Sequence, residues 1–214
     1  MKKLIIFDLD GTLLDTSAGI IACYNQTALD FGLQSRRKRY FKGIIGNSLL
    51  NGFKLVFNMD EKTAHKAVKH FRALYAEKGI HLFSHYPGTA RLLADIKSSG
   101  SDIAVATLKH ESFAVKMLEA AGFSGYIGAV FGDNDAGLTK TQLLQKAMDF
   151  YNAAPEETIL VGDSVNDVLG AEEAGIDFIG VTYGLGFTGR EDIVSGHHIA
   201  AAESAEEIFL FLSK

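Results

Sequence analysis

The sequence predicts an α/β fold, a Rossmann-like doubly wound parallel sheet core carrying an inserted all-helical domain. Three observations lead there. The short apolar runs are continuous rather than alternating, as in strands buried on both faces of a parallel sheet. Helical patterns separate the later runs at the spacing of βαβ units. Between the first run and the rest lies an interval of about 70 residues with helical patterns and no convincing strand.

In chain order, the first strand is expected at Leu4–Phe7. From Thr16 to His85 the reading is helical: Ala18–Phe31, Asn47–Phe57, and a clear amphipathic helix in EKTAHKAVKHFRALYAEKG. In that segment Ala64, Ala67, Phe71, Leu74 and Tyr75 form one stripe. Tyr86-Pro87-Gly88 punctuates the return to the sheet. Strands then follow at Ile103–Ala106, Ile127–Phe131, Ile159–Val161 and Phe178–Val181. Helices are expected at Thr89–Ser98, Glu111–Ala121, Thr141–Phe150 and Val165–Ala174, with a closing amphipathic helix at Ala205–Leu212. The expected division is an α/β core of residues 1–15 and 86–214 and a helical domain of residues 16–85. There is no internal repeat and no low-complexity tract.

The bulk properties narrow the function. The chain has 214 residues, 47% hydrophobic and 22% charged, enough to build a core. A net charge of −5 argues against a broad basic face for nucleic acid. Cys23 is the single cysteine, so an internal disulfide and a cysteine-based metal site are both excluded, which fits a reducing cytoplasm. The apolar run after Lys2 and Lys3 is too short for a signal-peptide core. No stretch approaches the ~18 apolar residues of a membrane span. A soluble, cytoplasmic protein is expected, with no nucleic-acid or membrane partner and an oligomeric state left open.

Acids end two of the strands. In FDLDG, Asp8 and Asp10 are two apart in extended chain and therefore face the same way. Asp-Gly is a strong turn dipeptide, which accounts for Asp10 and leaves Asp8 unexplained. An acid finishing a buried run is costly unless it is paired or bound to metal. ILVGDSVNDV repeats the arrangement with Asp163 and Asp167. Ser164 and Asp167 read equally well as an approximate capping box, but Asp163 again has no such account. Two acid-tipped strands indicate a site at the carboxyl edge of the sheet. All-oxygen ligands of this kind favour a hard cation such as Mg²⁺.

Two further residues are candidates for the same site. Thr107 ends the strand IAVAT, where its hydroxyl can reach a phosphate oxygen or, on the plainer reading, cap the next helix. Lys140 falls in the first turn of a helix, where a cation opposes the dipole. Nearby carboxylates or a bound anion would remove the conflict; a solvated surface lysine is the alternative.

Taken in order, these four stations resemble the haloacid dehalogenase superfamily. FDLDGTLLD is similar to its first motif, and the Thr of AVAT, the Lys of LTK and the GDSVND segment resemble its second to fourth. The resemblance covers essentially the whole chain. The helical insertion stands where that superfamily carries a cap domain, and IIGNSLL, FRALY and YPG look like the phosphoglycolate phosphatase branch. What the resemblance implies is a Mg²⁺-dependent phosphatase acting on a small phosphorylated metabolite. Asp8 would be the nucleophile that becomes an aspartyl phosphate, and Asp10 the general acid–base. Thr107 and backbone amides near Leu9, Asp10 and Leu108 would hold the phosphoryl oxygens, with Lys140 neutralising their charge. Asp8, the backbone carbonyl of Asp10, Asp163 and Asp167 would hold or support the metal.

The chain departs from the pattern at Thr107-Leu108-Lys109-His110, where Asn commonly follows the Thr and Pro the Lys, and at Thr141, where Pro is common. Lys109 is thus a rival to Lys140 for binding an anion. Gly184, Gly186 and Gly189 form a GxGxxG after a predicted strand, but the 25 residues that remain offer only the short run His198–Ala200, so a flexible loop bordering the site is expected instead of a dinucleotide fingerprint. His81 and His85 read as hinge residues more than as metal ligands. Arg36, Arg37, Lys38 and Arg39 read as a solvated face, or in a cap as an attractor for an anionic substrate. Asp10 argues against dehalogenation. DTSAGI and GIIGNS lack the His and Arg-Ser of the sugar-phosphate mutases. Mutase, pyrophosphatase and nucleotidase chemistry are the alternatives within the superfamily, and a non-catalytic phospho-switch or binding protein is the alternative outside it.

Overall fold

The computed structural model describes residues 1–41, 43–46, 48–134, 136–193 and 198–214. The chain divides into two compact units, one of Met1–Asp15 with His85–Lys214 and one of Thr16–Ser84.

The larger unit is built on a six-stranded sheet of β1 (Leu4–Phe7), β4 (Asp102–Thr107), β5 (Ala129–Gly132), β6 (Thr158–Gly162), β7 (Asp177–Val181) and β8 (His198–Ala202). Two-residue strands β2 (Leu14–Asp15) and β3 (Ser84–His85) stand at the ends of the insertion. The order is β5-β4-β1-β6-β7-β8, and each described pairing is parallel. This is the doubly wound order, whose topological switch lies between β1 and β6. The β1 residues are wholly buried because strands lie on both sides and helices cover both faces. The run at His198–Ala200 is therefore part of a full strand. Its alanine-rich composition concealed an edge strand beside β7.

Helices α4 (Thr89–Ser98), α5 (Glu111–Ala120), α6 (Lys140–Tyr151), α7 (Val165–Ala174) and α8 (Ala205–Leu212) alternate with the strands. Leu4, Ile6 and Leu160 of the sheet pack with Leu143 and Leu144 of α6 and Val168 of α7 in one buried cluster. Burying each such side chain is worth about 1.5–3 kcal/mol before entropy is counted. Helix α6 starts firmly because Thr139 and Gln142 form a capping box: Thr139 N donates to Gln142 Oε1 at 2.9 Å and Gln142 N to Thr139 Oγ1 at 3.3 Å.

The smaller unit contains α1 (Ser17–Asp30), α2 (Leu49–Phe57) and α3 (Glu61–Glu77), with 3₁₀ turns at Lys38–Phe41 and Gly79–His81. The helix expected from Asn47 is described from Leu49; Asn47 lies outside the described residues. Its core is aromatic. The Tyr24 ring lies 5.4, 4.7, 6.4 and 4.9 Å from the rings of Phe41, Phe53, Phe57 and Phe71. Gly52 lets that ring in, since a β-carbon there would lie 2.1 Å from the Tyr24 hydroxyl. On α3, Ala64, Ala67, Phe71 and Tyr75 are buried and Leu74 is half-buried, as the stripe requires. Asp60 caps the helix by accepting from Thr63 N at 3.0 Å.

Candidate active site

Three neighbouring strands end at one level. Phe7 is in register with Val105 of β4 and with Val161 of β6, and Asp8 N donates to Val161 O at 2.9 Å. Asp8, Thr107 and Asp163 thus emerge together at the carboxyl edge, at the switch between β1 and β6. All three are buried. The chain turns sharply after β1: Leu9 O accepts from the N–H groups of Thr12, Leu13 and Leu14. Gly11 is required there twice over. Its φ is +90°, and a β-carbon would lie 2.1 Å from Asp163 Oδ2.

Lys140 comes in from the first turn of α6. It is buried, not a surface lysine, and its ammonium donates to Asp8 Oδ1 at 2.6 Å and to Ala106 O at 2.8 Å. It also lies 2.7 Å from Asp167 Oδ1. These acids answer the unfavourable dipole at the start of α6. Gly170 on α7 makes the passage possible, because a β-carbon there would sit 2.5 Å from Lys140 Cγ.

Asp167 is fixed at the start of α7, where its Oδ2 accepts from Ser164 N at 3.0 Å and Ser164 Oγ at 2.6 Å. The capping interaction and the placement beside Lys140 are made by one carboxylate. Gly162 leaves room for it: a β-carbon would lie 2.5 Å from Asp167 Cγ.

Asp8, Asp163 and Asp167 form a group whose nearest oxygens all lie within 4.8 Å of one another. Opposed ligands of an octahedral Mg²⁺ stand about 4.2 Å apart. A small contraction would therefore close this buried, all-oxygen set around a hard cation, and the residues fit such an ion. Charge argues the same way, since three carboxylates face one ammonium. Burial pushes Asp8 well above the usual carboxylate range against the pull of Lys140, and Asp167, Asp163 and Asp10 add repulsion. Burial, then Asp167, pushes Asp163 up to about 7, against the Leu185 and Gly186 N–H groups and Lys140. Burial also works against the charge on Lys140, but Asp167 and Asp8 outweigh it and hold the amine above its ordinary range. A proton or a cation must supply the missing positive charge.

The two lysines occupy different places. Lys109, half-buried as a residue, lies 2.9 Å from Asp10 Oδ1, whereas Lys140 serves Asp8 and Asp167. Lys109 N donates to Thr107 Oγ1 at 3.2 Å, so Thr107 also steadies the turn after β4. Leu9 is fully buried at the turn after β1, and Leu108 is exposed at the tip of β4.

The glycine-rich segment differs most from expectation. It is packed against Asp163: Leu185 N and Gly186 N donate to Asp163 Oδ2 at 2.7 and 2.9 Å, and Phe187 N donates to Asp163 O at 2.8 Å. The sequence reading is a flexible loop bordering the site; the loop does border Asp163, but its backbone N–H groups are bonded to that residue. Tyr183 extends the same segment, its hydroxyl donating to Thr12 O at 3.0 Å. Among the described residues no other group of three ligand side chains is close enough to hold a metal. His81 and His85 are exposed, and Arg36 and Arg39 lie over the Tyr40 ring on an exposed stretch of the helical unit.

Comparison with known proteins identifies the family. Residues 5–181 match the haloacid dehalogenase-like hydrolase family. The chain is 34% identical over 191 residues to the probable phosphatase IndB of Dickeya dadantii strain 3937, covering 86% of this chain and 83% of that protein. It is 29% identical to a phosphoglycolate phosphatase of Vibrio parahaemolyticus, covering 96% and 94%. A solved haloacid dehalogenase-like hydrolase from Streptococcus pneumoniae superposes with a TM-score of 0.91 at 27% identity, covering 99% and 98%. The chain belongs to the haloacid dehalogenase-like hydrolases, in their phosphoglycolate phosphatase-like branch.

Proposed function

We propose that the protein is a Mg²⁺-dependent phosphatase that hydrolyses a small phosphomonoester through an aspartyl phosphate on Asp8. One observation carries the reading: Asp8, tipped from the central strand, is bonded to Lys140 and grouped with Asp163 and Asp167. A nucleophilic carboxylate needs its charge stabilised, and the Lys140 ammonium on Asp8 Oδ1 supports that role.

In the first step an Asp8 oxygen forms a bond to phosphorus while the bond to the leaving oxygen breaks. Asp10 gives that oxygen a proton, and Lys109 holds the Asp10 carboxylate in place. In the second step water attacks phosphorus, Asp10 takes its proton, and the Asp8–phosphorus bond breaks to release inorganic phosphate. Lys140, the Thr107 hydroxyl and the backbone amides near Leu9, Asp10 and Leu108 hold the phosphoryl oxygens. Asp8, Asp163 and the Asp10 carbonyl would hold Mg²⁺ with Asp167 in support, and the ion would supply a positive field for the transferring group. We read the helical unit of Thr16–Ser84 as a cap that selects the leaving group, with Arg36–Arg39 attracting anionic substrates.

Hydrolysis of p-nitrophenyl phosphate tests the proposal. Activity is expected with Mg²⁺, with loss on adding chelator and in Asp8→Asn. Metal-independent activity, or full activity in Asp8→Asn, would contradict it. A panel of two-carbon acid phosphates, sugar phosphates, nucleotides and pyrophosphate then separates the phosphatase reading from mutase, pyrophosphatase and nucleotidase.

A further inference from the structure

Three consecutive backbone N–H groups, from Leu185, Gly186 and Phe187, converge on Asp163. Two of them occupy the same carboxylate oxygen, Oδ2. The approach leaves no room for a side chain at Gly184 or Gly186. A β-carbon on Gly184 would lie 2.4 Å from Gly11 O and 2.5 Å from Asp163 Oδ2, and one on Gly186 would lie 2.4 Å from Asp163 O. Both ends of the segment are tied down. Tyr183 donates to Thr12 O and its ring lies 4.7 Å from that of Tyr86, while Thr188 N and Oγ1 each donate to Asp192 Oδ2 at 2.7 Å. A helix cap or an ordinary loop needs none of this closeness.

We propose that the strap Gly184–Phe187 makes Asp163 a one-oxygen ligand and thereby sets the preference of the site for Mg²⁺ over Ca²⁺. The proposal rests on the divalent-metal reading above. Mg²⁺ demands near-octahedral geometry with short bonds, which single carboxylate oxygens and waters satisfy. Ca²⁺ takes six to eight oxygens at longer distance and commonly engages both oxygens of a carboxylate. With Oδ2 committed to two N–H groups, Asp163 presents Oδ1, and two-oxygen binding would break both hydrogen bonds in a buried place. The strap also keeps the ligand from turning when the cation leaves, the usual work of outer-shell partners.

The test is calorimetric titration of MgCl₂ and, separately, CaCl₂ into the full chain and into Gly186→Ala and Gly184→Ala. The wild type is expected to bind Mg²⁺ more tightly than Ca²⁺. Each variant is expected to lose Mg²⁺ affinity by about tenfold or more, with a smaller loss for Ca²⁺, so that the ratio of the two affinities falls. An unchanged Mg²⁺ affinity, or parallel losses for both ions, would overturn the proposal while leaving the metal reading intact. A wild type that binds neither ion would overturn both. Amide hydrogen exchange on the wild type keeps the test independent of variant folding. The Leu185 and Gly186 amides should stay protected on adding Mg²⁺ and lose protection in saturating Ca²⁺. Deprotection by Mg²⁺, or equal protection with both ions, would overturn the proposal.

Discussion

The two units solve the problem of a packed interior in opposite ways. The helical unit buries neutral groups, with Tyr24 at the centre of a ring of phenylalanines and, among the described residues, only Thr16, Ser17 and Thr27 as buried polar side chains. The sheet unit contains every buried acid and amine among the described residues: Asp8, Lys140, Asp163 and Asp167. Burying charge costs stability unless it is paired, and three acids around one ammonium are not fully paired. A fold under no functional demand would place apolar side chains there, as the helical unit does. The comparison teaches that the buried charge is concentrated in the sheet unit, where the proposed chemistry is placed.

The largest expected break in that comparison comes from Asp10→Asn, which removes the proposed proton carrier. Turnover of p-nitrophenyl phosphate should fall by about 10²–10⁴-fold, with the circular dichroism spectrum unchanged. Lys140→Met should come next. It leaves Asp8 and Asp167 buried without their ammonium, and denaturant unfolding without metal should show a loss of about 3–5 kcal/mol. Saturating Mg²⁺ should restore more stability to this variant than it adds to the wild type. Phe53→Ala opens a cavity in the helical unit and should cost a comparable 3–5 kcal/mol or so. Here Mg²⁺ affinity, measured by calorimetry, should not change. Equal rescue of both variants by Mg²⁺ would erase the distinction between the units.

The smallest effect is a pH dependence. The pKa of Asp163 in the folded chain, about 7, lies above the ordinary carboxylate value near 4 that the unfolded chain restores. Between those values the folded chain keeps a proton that the unfolded chain has released. Its contribution therefore favours folding at low pH and is lost as pH rises through about 7. Without metal, the melting temperature should fall between pH 5 and pH 8, and Asp163→Asn should flatten that slope. Added Mg²⁺ should offset the fall at pH 8.

Much of this was legible in the sequence because the signals are local. An apolar run meeting an acid identifies Asp8 and Asp163 as residues placed against the grain of a core. The continuous runs reveal a parallel sheet. Lys140 was legible only through its order along the chain, since its burial depends on Gly170 of α7 admitting its stem. The division of labour between Lys140 and Lys109 was not legible, because it turns on which carboxylate each long side chain reaches across the strand tips. The strap was least legible. Its donors are backbone N–H groups, which every residue but proline possesses, and their acceptor lies more than twenty residues earlier in the chain.

The central claim is that Asp8 attacks phosphorus in a site held together by a divalent cation. Rapid acid quenching of the protein with p-nitrophenyl [³²P]phosphate tests it most directly. With Mg²⁺, label should appear on the peptide containing Asp8 and turn over to inorganic phosphate. Chelator or Asp8→Asn should leave the peptide unlabelled. Label on any other residue, or turnover that continues in Asp8→Asn, would contradict the account.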